Sequence, residues 1–117
     1  MKDGVYEVWR AGDRLLSSCQ YKSSLWFRLK GLLGRKTLHA HEGILIKPCQ
    51  SIHMFFMRFA IDAVFLNKKN EIVRIYPGIR PWRMTRHVWG SDCVLELPAG
   101  SSERWGLNVS DCLTFKQ

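Results

Sequence analysis

Residues 49–66 form the densest apolar run of the chain, and the run carries three chemically capable side chains, those of Cys49, His53 and Asp62. Its second half, residues 61–66, is short and almost continuously apolar, which predicts a strand covered on both faces. Asp62 is the exception in this strand, because an unpaired buried carboxylate is costly unless it stays protonated. Two interpretations remain open. Asp62 accepts backbone N–H groups or pairs with an arginine such as Arg58 to hold a turn, or it is a functional carboxylate at the end of a strand.

Length and composition predict one globular domain over residues 1–117. The chain is 46% hydrophobic, which is enough for a core of its own at this length. No run approaches the roughly 20 apolar residues of a membrane helix, and the N-terminus lacks the layout of a secretory signal. We therefore expect a monomeric cytoplasmic protein without a membrane span. The four cysteines contain no CxxC pair, which favours reduced thiols over a bridge between neighbouring strands at Cys93 and Cys112.

Turn-rich segments divide the chain into short strands. Residues 5–10 and 15–21 flank Ala11-Gly12-Asp13 and predict an opening hairpin within residues 1–22. A second hairpin is predicted where residues 63–66 and 71–76 flank a polar loop. Residues 77–82 end this hairpin, and from there to Asp92 no periodicity holds. This irregularity predicts a long surface loop. Further strands are predicted at residues 43–47, 93–97 and 112–115.

Two helices are predicted between these strands. Residues 23–34 show helical spacing of apolar residues after Ser23-Ser24, with Gly34 at the end, and predict the main helix. A short helix is predicted up to Trp105, capped by Ser101 or Ser102. Many short strands with one main helix and one short helix predict an α+β fold with a largely antiparallel, strongly curved or barrel-like sheet.

Four motifs resemble a known family. They are the segments 29–35, 43–45, 49–66 and 94–100, which occur in the same order and at similar separations in the prokaryotic family called domain of unknown function 192. The resemblance covers about residues 24–115. It implies a compact α+β domain with a curved antiparallel sheet, and it implies no settled activity. Met54, Ala60 and Ser110 depart from the usual pattern of the family.

Metal binding is one interpretation of the apolar run. Cys49, His53, Met54 and Met57 supply thiolate, imidazole and thioether groups, which suit a soft metal such as Cu(I). No CxxC or HxxxH pair supports this interpretation, and we predict no metal and no cofactor. His39-Ala40-His41 also places two imidazoles on one face of an extended segment, although two exposed histidines in a loop are the commoner explanation.

Catalysis is a second interpretation. Cys49 or Cys93 could serve as a nucleophile activated by His53, provided that the thiol has a lowered pKa. Asp62 and Glu96 have the residue types of an acid and base pair. No recognised catalytic signature surrounds any of these residues. A small hydrolase or metal-dependent enzyme using His53, Asp62 and Glu96 is therefore kept as an alternative to a non-enzymatic role.

Residues 80–89 interleave arginines with tryptophans in a chain of net charge +8. Arginines can pair with phosphate or carboxylate while the rings stack on planar groups. Alternatively, Trp82 and Trp89 fold back as a lid over the sheet. No helix-turn-helix, zinc-finger or RNP pattern occurs, so sequence-specific nucleic-acid binding is not predicted.

We accordingly predict a non-enzymatic binding or accessory domain that binds an anionic small molecule or an acidic protein partner. An interaction module without a ligand pocket is a further alternative, and it predicts an exposed apolar patch. The residues predicted to converge on the ligand are His53, Asp62, Glu96, Arg80, Trp82 and Arg83.

Overall fold

A computed structural model of the protein describes residues 2–22, 38–54 and 57–117. Seven strands form one sheet, in the order β5-β4-β6-β3-β2-β1-β7. The elements are β1 (Gly4–Arg10), β2 (Asp13–Lys22), β3 (Glu42–Ile46), β4 (Ile61–Leu66), β5 (Ile72–Ile79), β6 (Cys93–Pro98), the short helix α1 (Ser101–Arg104) and β7 (Thr114–Lys116).

Both predicted hairpins are confirmed. β1 and β2 pair antiparallel from Gly4 opposite Tyr21 to Arg10 opposite Asp13. β4 and β5 pair antiparallel, and the Asn67 side chain closes their turn by accepting the amide hydrogens of Lys69 and Glu71 at 2.9 and 3.0 Å. Such a bond from an asparagine to its own downstream backbone explains why the polar loop specifies a turn.

The predicted fold class is wrong. Of the described residues, 49% are in strands and 4% are helical, and the sheet is neither closed nor strongly curled, so the described part of the fold is nearly all sheet rather than α+β and is not barrel-like. Turn signals determine which neighbouring strands pair, but closure depends on whether the edge strands meet. Here β2 pairs with β3 in parallel, and β5 and β7 lie at opposite edges of the order, where an isolated bridge between Glu71 and Cys112 connects the residues beside them without extending into a ladder. The predicted main helix, residues 23–34, lies outside the described residues.

The central strand β4 is covered on both faces, as its apolar run predicts. All six of its residues are buried. Val64 and Leu66 contribute to a cluster on one face, together with Leu95 and Leu97 of β6. The alternate residues of β4 contribute to a second cluster on the other face. Burying one large aliphatic side chain stabilises a fold by about 1.5–3 kcal/mol, so both clusters contribute strongly to holding β4.

Candidate functional site

Asp62 is fully buried, with 0% of its surface exposed. Its Oδ1 accepts the amide hydrogens of Gly78 at 2.8 Å and Gly100 at 3.2 Å. Its Oδ2 accepts the amide hydrogen of Ser102 at 2.8 Å and the hydroxyl hydrogen of Ser102 at 2.7 Å. The first interpretation, a carboxylate that accepts backbone N–H groups to hold a turn, is confirmed. The carboxylate joins the end of β5 to the start of α1.

The helix α1 begins differently from the prediction. Gly100 is the N-cap residue, in the left-handed conformation at φ 92°, and no side chain caps the helix within its own segment. The predicted cap by Ser101 or Ser102 is wrong, because both serines are buried and the Ser102 hydroxyl donates to Asp62 instead. A distant carboxylate thus satisfies amide groups that a local cap usually satisfies.

Asp62 and Glu96 point to opposite faces of the sheet. Across the β4–β6 pair, Asp62 lies opposite Leu97, and Ala63 lies opposite Glu96. Directly opposed residues share a face, and consecutive residues alternate between faces. The structure therefore does not bring the two carboxylates together. This separation removes the geometric basis for an acid and base pair, which must flank one scissile bond.

The cysteines also give the enzyme alternative no support. Cys49 is buried, and its thiol donates to the carbonyl oxygen of Ser51 at 3.1 Å. Burial, with a smaller contribution from Asp92, raises the pKa of the Cys93 thiol to about 12. A nucleophilic cysteine needs the opposite shift, towards the thiolate at neutral pH.

Among the residues that the structure describes, no group of three or more His, Cys, Asp and Glu side chains is placed to hold a metal ion. Within those same residues, no helix combines the length and the apolar character that crossing a membrane requires.

Residues 80–89, called here the arginine–tryptophan segment, are tied by backbone hydrogen bonds to the first part of the apolar run. The Trp82 and Thr85 amides donate to the carbonyl oxygens of Met54 and Ile52 at 2.7 and 2.9 Å. In the other direction, the Met54 amide donates to the Arg83 carbonyl oxygen at 2.7 Å. The predicted surface loop is irregular in secondary structure but is held along residues 50–54.

Two buried side chains of the segment, those of Thr85 and Val88, lie at this contact with residues 50–54. Thr85 is 7% exposed and its hydroxyl accepts the Ile52 amide hydrogen at 3.1 Å, while Val88 is 8% exposed and its amide donates to the Gln50 carbonyl oxygen at 2.7 Å. An isolated bridge pairs His53 with Met84. The segment therefore presents its remaining side chains from a backbone that is held in place.

The outward side chains of the segment combine apolar and basic groups. Trp82, Met84 and Trp89 are 59%, 65% and 85% exposed, so the alternative of a tryptophan lid is wrong. The His87 and Trp89 rings contact each other edge to face, with centroids 4.3 Å apart. The exposed basic residues of the segment are Arg80, Arg83, Arg86 and His87, and exposed His53 pairs with the segment at Met84.

Of the predicted ligand-binding residues, the structure thus brings together His53, Arg80, Trp82 and Arg83. Asp62 is buried with both oxygens occupied, and Glu96 lies on the opposite face of the sheet from Asp62. The predicted ligand-binding residues did not include Met84, Arg86, His87 and Trp89, whose exposed side chains are separated by buried Thr85 and Val88. Which side chains point outward depends on the pairing with residues 50–54, which local sequence does not show.

The backbone of Trp82 has φ 69°, in the left-handed region. For a bulky residue this conformation costs about 1–3 kcal/mol and persists only where the surroundings hold it. Its amide bond to Met54 supplies part of that hold. Strain of this kind at an exposed tryptophan next to Arg83 is typical of functional surfaces.

The family model DUF192, described as uncharacterized ACR, matches residues 9–115. A UPF0127 protein of Pyrococcus furiosus is 32% identical over 111 residues, which cover 91% of this chain and 93% of that protein. A UPF0127 protein of Thermococcus sibiricus is 36% identical over 61 residues, but this chain covers only 39% of its length.

A crystal structure of a protein of unknown function from Novosphingobium aromaticivorans has the same fold. Its TM-score is 0.82 at 18% identity, and the match covers 96% of this chain and 84% of that chain. The predicted resemblance is confirmed, and the family match begins nearer the N-terminus than residue 24.

Proposed function

The chain belongs to DUF192, a family described as uncharacterized, and we propose that it is a non-enzymatic binding module that docks an acidic protein partner on the arginine–tryptophan segment. One observation carries this proposal. The exposed side chains of Trp82, Met84 and Trp89 are interspersed with exposed arginines, on a backbone that is hydrogen-bonded to residues 50–54. The proposal concerns recognition rather than a chemical reaction.

The residue types of the segment favour a protein partner. Tryptophan, methionine and arginine are enriched at the centres of protein interfaces, and tryptophan and arginine supply most of the large losses seen on truncation. Met84 and Trp89 remain largely in water in the free chain, so covering them with a partner would gain apolar burial. A fixed backbone also lowers the entropy cost of docking.

The charge of the segment favours an acidic partner. Residues 80–91 contain three arginines and no acidic residue, in a chain of net charge +8. Opposite charges steer association, and this steering weakens as salt screens it. Arginine can also hold a carboxylate with two parallel hydrogen bonds, which adds orientation to attraction.

The enzyme alternative has less support from the geometry. It requires Asp62 and Glu96 to share a site with His53, whereas the two carboxylates point to opposite faces of the sheet and His53 is exposed. A nucleophilic Cys93 would need a lowered pKa, and burial raises that pKa to about 12. Recognition by surface side chains needs neither arrangement.

The experiment is a selection from a displayed random peptide library on the purified chain at low salt. A parallel selection uses a chain carrying Arg83→Gln and Trp89→Ser, and Lys69→Gln provides a charge-matched control in the exposed β4–β5 turn. The proposal expects enriched peptides that combine Asp or Glu with aromatic or aliphatic residues, recovered on the parent and control chains only.

Two results would overturn the proposal. One is enrichment that ignores peptide charge or survives both substitutions. The other is binding of a single-stranded oligonucleotide that depends on Arg83 and Trp89 while no acidic peptide binds, which would assign the segment to nucleic acid instead.

A further inference from the structure

Two adjacent recesses flank the Arg104 side chain at the end of α1. Both are lined by Ala40 and Arg104, and their volumes are about 350 and 300 Å³. Apart from these shared residues, the larger recess is lined by Leu38, Phe59, Ala60, Pro98 and Ala99, and the smaller one by Arg14, Leu15, Ser17, His41 and Trp105. In the larger recess, the side chains other than that of Arg104 are apolar, although polar and apolar atoms contribute nearly equal surface, and the smaller recess is mostly polar and basic.

Arg104 carries a positive charge that its described neighbours leave largely unneutralised. Its guanidinium donates to the Ser101 hydroxyl at 3.3 Å and lies 5.8 Å from the centre of the Trp105 ring. No carboxylate among the described residues pairs with it. Since a guanidinium has five N–H donors in a planar fork, most of its donors remain available to an anion.

Arg14, the other arginine of the smaller recess, has its charge partly neutralised. Arg14 donates to Glu7 at 3.0 Å. The hydrogen bond from the Trp9 indole, followed by the one from Arg14, lowers the pKa of Glu7, so this pair stays charged at neutral pH. Arg104, with His41 nearby, is therefore the stronger anion-binding group of the smaller recess.

The walls of the recesses are held by bonds that do not involve a ligand. The Arg10 guanidinium donates to the carbonyl oxygens of Trp105 at 2.6 Å and Gly106 at 3.1 Å, which fixes the end of α1 against β1. The Ser18 amide donates to the His41 carbonyl oxygen at 3.1 Å, which fixes the turn before β3. Ligand sites are commonly formed in advance in this way, with an apolar lining and a few polar groups.

We propose that the two recesses together bind one small amphipathic carboxylic acid. The carboxylate pairs with Arg104 and lies beside His41, and the apolar body crosses Ala40 into the recess lined by Phe59 and Pro98. A ligand with one negative charge matches the one unneutralised guanidinium, that of Arg104. A second negative charge would have only Arg14 to pair with, and Arg14 is already paired with Glu7. This site uses no residue of the arginine–tryptophan segment, so its test is independent of the protein-docking proposal.

The test is a titration of the uniformly ¹⁵N-labelled full chain, followed by amide chemical shifts, with octanoate and phenylacetate as probes and octanol as the neutral match. We expect saturable shifts at Ala40, His41, Ala99 and Arg104. Arg104→Gln is expected to weaken binding by about tenfold or more, as loss of a hydrogen bond to a charged group does. Arg104→Lys should retain part of the affinity because it keeps the charge, and Lys69→Gln should leave binding unchanged.

The amide spectrum of each variant also reports whether it folds, and a folded Phe59→Ser variant is expected to lose affinity for octanoate. Equal binding of octanol and octanoate would overturn the proposal, as would unchanged affinity in Arg104→Gln. It is equally overturned if neither carboxylate gives a saturable shift at millimolar concentration.

Discussion

Asp62 and Ser102 are 40 positions apart in the chain and are joined by two hydrogen bonds, from the serine amide at 2.8 Å and the serine hydroxyl at 2.7 Å. The same carboxylate accepts the Gly78 and Gly100 amide hydrogens. One buried side chain therefore determines how the end of β5, the β6–α1 connection and α1 meet.

Asp62→Asn should destabilise the fold. The substituted amide turns one acceptor oxygen into a donor group facing other donors, and it removes the charge that strengthens the remaining bonds. We expect the free energy of unfolding to fall by about 2–4 kcal/mol, measured by urea denaturation. Asp13→Asn, at the exposed first residue of β2, is the matched control and should change stability little. An equal effect of both substitutions would contradict the central position given to Asp62.

Gly43→Ala should destabilise the sheet through a steric clash. A Cβ atom at Gly43 would lie 2.7 Å from Cδ1 of Leu16 and 3.2 Å from the carbonyl oxygen of Glu96. Overpacking of this kind costs about 1–3 kcal/mol, and thermal unfolding should show it. Gly12→Ala provides the control, since nothing lies within 4 Å of its added Cβ. A midpoint for Gly43→Ala at or above that of the parent would show that β3 and β6 are spaced more widely than described.

The cysteines should differ sharply in reactivity. Burial raises the pKa of Cys19 and of Cys93 to about 12, so both thiols stay protonated at neutral pH. Cys112 is exposed. We expect iodoacetamide to modify Cys112 first in the native chain, with Cys19 and Cys93 protected until the chain unfolds, as followed by peptide mass spectrometry. Early alkylation of Cys93 would reopen the interpretation of that residue as a nucleophile.

Local sequence was sufficient for the features that depend on neighbouring residues. The Asn67 turn predicted the β4–β5 hairpin, and the unbroken apolar run predicted that β4 is buried on both faces. The structural interpretation of Asp62 was also available from sequence, because a carboxylate in such a strand needs donors.

The register between strands that are far apart in the chain could not be predicted from local sequence. Whether Asp62 and Glu96 share a face depends on the register of β4 against β6, which begin 32 positions apart in the chain, and one step of register reverses the answer. The pairing of residues 50–54 with the arginine–tryptophan segment is of the same kind. Closure of the sheet likewise depends on all seven strands together, so the barrel-like prediction had no local basis.

We propose that the arginine–tryptophan segment docks an acidic protein partner. The most direct measurement is the fluorescence anisotropy of a labelled acidic peptide from the selection, titrated with the parent chain, Trp89→Ser, Arg83→Gln and Lys69→Gln at low and high salt. We expect Trp89→Ser to weaken binding by about thirtyfold, the effect of losing a central interface residue worth 2 kcal/mol. Arg83→Gln should weaken binding and reduce its salt dependence, while Lys69→Gln should bind as the parent does. Equal affinities for all four chains would contradict the account.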